Sequence, residues 1–481
     1  MSVWGRPDPV PWPPPEVKDR WQTVSQYRAR YRSNRLEMIK ADANTLSDQH
    51  KMDILRPVPL PRELARFSSA LLFSQPPAVI NLDYRSQIER LLRVNDIGSV
   101  ASIGGVKVAA EGTVGLRVIR DSAVSPSTPL ITVVPDDQII WDVRHDFFVV
   151  GGTVVVTRKD PDKEGHVYRL LECHQPGLIT RELYRGENNE RGTLVPLTRL
   201  PEFASLSPYE PTGLDMATLV RWENAAGGES DFFGLGPLFD TLTEAESTLL
   251  DRSRKSEPRL FVDRSLTDDA GVARIDGVIL TGGSRVRPTL GKEPGELVHV
   301  VEPKYLSKEH IEWIDHLTQL IVTCAGYSPD TWGIQGKTAS IQRAVSGYAM
   351  KLAMLRTLLT RAGKEHTAKM AWSQATALGI AWLAGVPEVS SVLPIIELGD
   401  GMPSDPLSGA QEVLALRQAV AASTEQLVRI VHPAWDDLHV GAEVERIMEE
   451  KILAAGGDVP LNQDLLEGDP EDPSDPRNVP V

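Results

Sequence analysis

The segment PLPRELARFSSALLFSQPP, Pro59 to Pro77, opens on proline and closes on a double proline. Between these breaks Leu64, Phe67, Leu71 and Leu72 recur at helical spacing, which predicts an amphipathic helix. A polar helix rich in Arg and Gln is predicted before it, from Val17 to about Ile39, and another amphipathic one after it, over Asp83 to Arg93. The pattern then changes. From Gly98 to about Tyr209, short β-branched runs such as GLRVIRD, VVGGTVVVTR, HVYRLLECH and GLITRELYRG alternate with Gly, Pro, Asp and Asn. This predicts a mainly antiparallel β region, whose first part, GSVASIGGVKVAAEGTVG, supplies glycines for turns and close packing.

Helical periodicity returns at Pro237, where Leu238, Leu242, Ala245 and Leu249 share a face. Strand-like runs occupy Arg259 to about Pro303, and a second amphipathic helix starts at an N-cap serine, Ser307, with Ile311, Ile314, Leu317 and Ile321 on its apolar face. A Gly/Ser loop, SPDTWGIQGKTASIQ, leads into Ala339 to Leu383, which contains no proline and spans about 65 Å if fully helical. Glycines 347, 363 and 379 are its candidate bending points. Asp405 to Lys451 reads as helices with a turn at His432-Pro433, and the acidic, proline-rich tail from Gly456 reads as disordered. The first sixteen residues, with six prolines and two tryptophans, read as an extended arm.

Composition narrows the function classes. The chain has 481 residues, enough for two to four structural units, with an ordinary 41% hydrophobic content. No apolar run approaches membrane-spanning length, and MSVWGRPDPVPWPPPE lacks the basic start and apolar stretch of a signal peptide, so synthesis in a cytoplasm is expected. The net charge of −15 argues against a protein that grips nucleic acid over its outer surface. It is compatible with one through which DNA slides, because an acidic wall repels phosphate. The two cysteines, Cys173 and Cys324, have no metal-ligand spacing and are expected to be small buried hydrophobes.

Catalytic signals fail on inspection. TWGIQGKTAS, Thr331 to Ser340, contains GKT, but the position of the first P-loop glycine is Thr331, and the segment follows a helix instead of a buried strand. No GxSxG is present, the ten histidines are scattered, and His174 and His299 in strands read as satisfied structural groups. Acidic pairs such as Asp136/Asp137 sit in turn-like contexts. No catalytic residue, metal site or cofactor is predicted.

Three segments in one order resemble the portal family of tailed bacteriophages, particularly the siphophage type: PLPRELARFSSALLFSQPPAV, then the Pro237 helix through the β insert to SGYAMKLAMLRTLLTRAGKE, then SDPLSGAQEVLALRQAV with HPAWDDLHVGAEVERIMEEK. HVYRLLECHQPGLITRELYRGE resembles the family's wing strands. The resemblance covers Pro59 to Lys451. It implies an α+β portal fold: after the arm (1–16), a wing (17–236), a stem helix (237–258), a β-containing clip (259–306), a second stem helix (307–326), a tunnel loop (327–342), a long kinked helix with the rest of the wing (343–403), an α-helical crown (404–455) and the tail (456–481). It further implies a non-enzymatic ring of about twelve copies at one capsid vertex. The ring would carry double-stranded DNA during packaging and ejection, and contact the major capsid protein, the terminase motor and a head–tail adaptor in the virion, with no membrane involved. Gln335, Lys337, Thr338 and Arg343 are then the loop residues expected to touch DNA. A terminase-like packaging component and another structural capsid or connector protein are the alternatives.

Overall fold

The computed structural model describes residues 11–33, 56–145, 148–255, 259–263, 274–275, 278–279, 286–289, 298–301, 307–332, 354–399, 413–414, 416–417, 423–431 and 437–454. The fold is α+β, as expected from the sequence. The chain divides into two units, Met1–Gly401 and Met402–Val481.

The first unit begins with helix α1 (Pro15–Arg32), followed by α2 (Leu60–Phe73), strand β1 (Ala78–Ile80), α3 (Arg85–Asn95) and α4 (Ile97–Glu111). Strands β2 (Thr113–Ile119), β3 (Leu130–Pro135), β4 (Ile139–Arg144), β5 (Phe148–Lys159), β6 (His166–Gln175), β7 (Leu178–Glu187), β8 (Thr193–Val195), β9 (Tyr209–Pro211) and β10 (Leu219–Glu223) come next. They form two antiparallel sheets: β10-β2-β3, and β4-β5-β6-β7-β8 with β9 added on β7. Helix α5 (Gly236–Lys255) leads to β11 (Arg259–Asp263), β12 (Arg274–Ile275), β13 (Val278–Ile279), β14 (Val286–Thr289) and β15 (Val298–Val301), and α6 (Ser307–Cys324) follows. Here β11 pairs parallel with β14 and antiparallel with β15. Helix α7 (Leu355–Ala384) and β16 (Ile395–Glu397), which pairs with β1, complete the unit.

Two cores hold this unit. In one, α3, α4 and α7 cover the β10-β2-β3 sheet, with Trp222 edge-on to both Phe73 and Trp372. In the other, α2, α5 and α6 meet around Leu64, Phe239, Leu317 and Ile321. Helix α6 runs back along α5: Arg252 near the end of α5 hydrogen-bonds His310 near the start of α6, at 2.9 Å. The two helices are therefore antiparallel, and β11–β15 connect their far ends. The second unit holds α8 (Thr424–Val431) packed on α9 (Asp437–Ala454).

Three elements depart from the sequence reading. The stretch expected to supply turns, Gly98 onward, is largely helix α4. Its glycines serve close packing: a Cβ on Gly104 would lie 2.6 Å from the Trp222 ring, and one on Gly105 2.6 Å from Ser69 Oγ and 2.9 Å from the Phe73 ring. Gly105→Ala is thus expected to destabilise by about 1–3 kcal/mol despite alanine's better helix propensity, measured by urea unfolding. An unchanged midpoint would show that α2 and α4 can separate freely.

The described part of the arm is docked, not extended away. Pro11 bridges Glu190, the Trp12 amide donates to Asn189 O at 2.7 Å, and Trp12 packs edge-on to Trp21. Helix α1 starts already at Pro15, buries Val17, Val24 and Ala29, and is also tied down by ion pairs. Arg20 pairs with Asp136, Arg28 with Glu111 and Asp137, and Arg30 with Asp240.

The third correction concerns cysteine. Cys173 is buried as expected, but Cys324 is exposed, because it ends α6 on the flank beside exposed Leu320 instead of on the Ile314–Leu317–Ile321 face. Helix α7 runs unbroken through Gly363 and Gly379, with Gly379 against Leu91. The expected helix over 339–353, Gly347, most of 404–422 and the tail from Gly456 lie outside the described residues.

Candidate functional site

The segment that leaves α6 toward the predicted loop is anchored by a buried polar cluster from four distant parts of the sequence. Lys364, on the inner face of α7 in phase with Ala368, Ala371 and Ala375, enters a region lined by α2 and α6. Its Nζ donates to Asp231 Oδ1 at 2.5 Å and Oδ2 at 2.7 Å, to Ser68 Oγ at 2.6 Å and to Tyr327 Oη at 2.9 Å. Tyr327 Oη donates in turn to Asp231 Oδ2 at 2.8 Å, and Asn224 Nδ2 to Oδ1 at 2.7 Å. Asp231 is fixed by its own backbone, whose amide donates to Ala109 O at 2.9 Å at the end of α4.

All the charge in this cluster is out of water. Burial pulls the Lys364 ammonium below the ordinary lysine value, against the opposing pull of Asp231. Burial and then the Asp231 charge raise the Tyr327 phenol well above its usual range, so it stays protonated and donates. Threonines on α7 extend the anchorage: Thr360 Oγ1 donates to Gly326 O at 2.6 Å, and Thr357 Oγ1 accepts from the Ser328 amide at 2.9 Å. The chain then makes one helical turn, Pro329–Trp332, with Trp332 against Phe67. The start of the loop is therefore rigidly seated on α7. Gln335, Lys337, Thr338 and Arg343 themselves lie outside the described residues.

A second buried cluster lies in the larger sheet. The β6–β7 register sets Glu172 opposite Arg181, across a hairpin closed by Pro176-Gly177, with Gly177 at φ +79°. Glu172 accepts from Arg181 at 2.6 Å, Arg117 at 3.2 Å and His174 Nε2 at 2.9 Å, while His174 Nδ1 meets Thr218 Oγ1 at 2.7 Å. Burial pushes the Glu172 carboxyl up, but the His174 bond and the charges of Arg117 and Arg181 outweigh it and hold it well below the usual range. Hydroxyl, imidazole and carboxylate stand in the order of a nucleophilic relay. Yet Thr218 and His174 are wholly buried and Glu172 is spent on two arginines, so the hydroxyl faces no approach for a substrate. Its role is structural.

Neither cluster was legible as such. Ser68, Asp231 and Lys364 lie 133 to 296 residues apart in the pairs that Lys364 makes. The one local signal was a lysine in phase with the alanines of a buried helix face. Among the described residues no group of three or more His, Cys, Asp and Glu side chains converges to hold a metal, and no helix is long and apolar enough to cross a membrane.

No protein-family model matches this chain, and no curated protein does. Among solved structures, it is similar to a chain of the neck of a native GTA particle computed with C12 symmetry, at 13% identity over 88% of this chain and 95% of that one, with a TM-score of 0.44.

Proposed function

We propose that the chain is a portal subunit of a tailed-phage-type particle: a virion protein that forms a ring at one capsid vertex, passes double-stranded DNA, and performs no catalysis. The observation that carries this reading is the antiparallel pair α5 and α6, with β11–β15 inserted at its far end and the loop segment at its near end. A helix, a β excursion and a returning helix serve as the stem and clip of a ring subunit, and the family-like segments occur in the matching order. On this reading the wing is 17–236, the crown is 404–455, and the clip docks the head–tail adaptor. The ring is likewise the docking site for the packaging motor, and it contacts the major capsid protein.

The charge balance suits the task. With −15 per copy, DNA meets a repelling wall, and any grip is confined to a few loop cations such as Lys337 and Arg343. Gln335 and Thr338 add neutral contacts. A cluster of cations would hold DNA too firmly for translocation.

Negative-stain imaging and light scattering of the purified full chain test the reading. The expected result is a ring of about twelve copies with a central hole. Lys337→Ala and Arg343→Ala should leave this ring intact while altering DNA packaging or retention, and the pure protein should hydrolyse no ATP. A monomer at high concentration in moderate salt, or ATP hydrolysis lost on Lys337→Ala, overturns the proposal.

A further inference from the structure

Helices α6 and α7 each carry a row of exposed side chains with the same spacing. On α6 the row is Glu309, Trp313, His316, Leu320 and Cys324; on α7 it is Leu355, Leu359, Ala362, His366 and Met370. In both, the steps are four, three, four and four residues, which at 3.6 residues per turn keep the row on one stripe. The opposite faces are already used, by Ile314, Leu317 and Ile321 on α6 and by Lys364, Ala368 and Ala371 on α7. Both rows nonetheless expose large apolar side chains between their polar ones: Trp313 is 48% exposed, Leu359 65% and Met370 53%. The α7 stripe also runs into an open cleft lined by His366, Met370, Gln374 and Phe148, which enlarges its apolar area beyond isolated surface residues.

Charge distinguishes the two stripes. Around the α6 row stand Glu309, Glu312 and Asp315 against Lys308. Around the α7 row stand Arg356 and Lys369, the latter paired with Glu365. Arg361 is turned inward onto Leu71 O, Gly399 O and Glu365, and Lys364 is buried on Asp231, so the flank of the row stays net positive. A contact of α6 with α6, or of α7 with α7, sets like charges together. A contact of α6 with α7 sets opposite charges together.

Building on the reading of the chain as a ring subunit, we propose that the α6 stripe of one copy packs lengthwise on the α7 stripe of the next. Such a contact uses two different surfaces of each subunit, the heterologous kind that builds a ring where its rotation closes, and not a twofold dimer. The matched spacing lets the side chains of the two rows interdigitate over about four turns.

The test places the photo-crosslinker p-benzoylphenylalanine at Trp313 in the full chain and assembles it from a mixture of ¹⁴N- and ¹⁵N-labelled copies. Irradiation should give mixed-isotope crosslinks from position 313 to peptides within 355–370. Trp313→Asp and Leu359→Asp should each raise the concentration at which the assembly dissociates by about tenfold or more, with the melting of the dissociated subunit unchanged. Intact rings whose crosslinks stay within one chain, or join another element, overturn this seam and leave the ring reading standing. Preparations with no ring at all overturn both.

Discussion

Replacing Lys364 by methionine is expected to lower the free energy of unfolding by about 3–5 kcal/mol, the range for removing one partner of a buried ion pair. The reason is what remains behind. Asp231 keeps its bonds from Asn224 and Tyr327 but loses two charge-assisted bonds, at 2.5 and 2.7 Å, in a region closed to water. Ser68 Oγ and Tyr327 Oη lose a donor in the same step. Because methionine nearly matches the apolar stem of lysine, lost packing contributes little to the change. The double replacement Lys364→Met with Asp231→Asn removes both charges and should be milder than Lys364→Met alone. Urea unfolding of the three proteins, with equal denaturant slopes, measures this directly. A Lys364→Met loss below about 1 kcal/mol would show that water reaches Asp231 and that the cluster does not clamp the loop to α7.

How far this anchorage was legible in the sequence depends on what kind of order is involved. Local order was readable. Proline at the start of α2 and the double proline after it bracket the helix, and the serine at 307 begins α6. Alternation and turn residues marked the strands from β2 to β9 as antiparallel. Order imposed by partners was not readable. Helix α4 looked like turn sequence because Gly104 and Gly105 weaken a helix in isolation, and only the rings of Trp222 and Phe73 across the interface make the small residues favourable. Helix α1 gave no sign that its arginines pair with acids at 111, 136, 137 and 240. The position of Lys364 in phase with Ala368 and Ala371 hints at burial, but nothing local names its partner, because the carboxylate it needs is 133 residues away. Cys324 failed for a related reason, since a residue type that is usually buried says nothing about which flank of a helix end stays open.

The sheet cluster separates charge from mere polarity and gives the second large effect. Glu172→Gln is expected to cost about 3–5 kcal/mol near neutral pH, since Arg117 and Arg181 then face a neutral amide in a buried site. Arg181 retains Glu210 at 2.7 Å, which places the loss toward the lower end of that range. The pH dependence identifies the cause. In the folded chain the Glu172 carboxyl is held below its ordinary value of 4.5, so the folded state favours the ionised form more than the unfolded state does. A depressed carboxyl of this kind contributes its stabilisation in full above the unfolded value and loses it as pH falls through the folded one. The gap between the parent protein and Glu172→Gln should therefore be constant above about pH 5 and narrow progressively below about pH 4.5, as the parent's own carboxyl takes up a proton. Urea midpoints of both proteins at a series of pH values read the gap. If it stays at full size down to about pH 2, the loss comes from altered packing around the amide and not from the removal of charge.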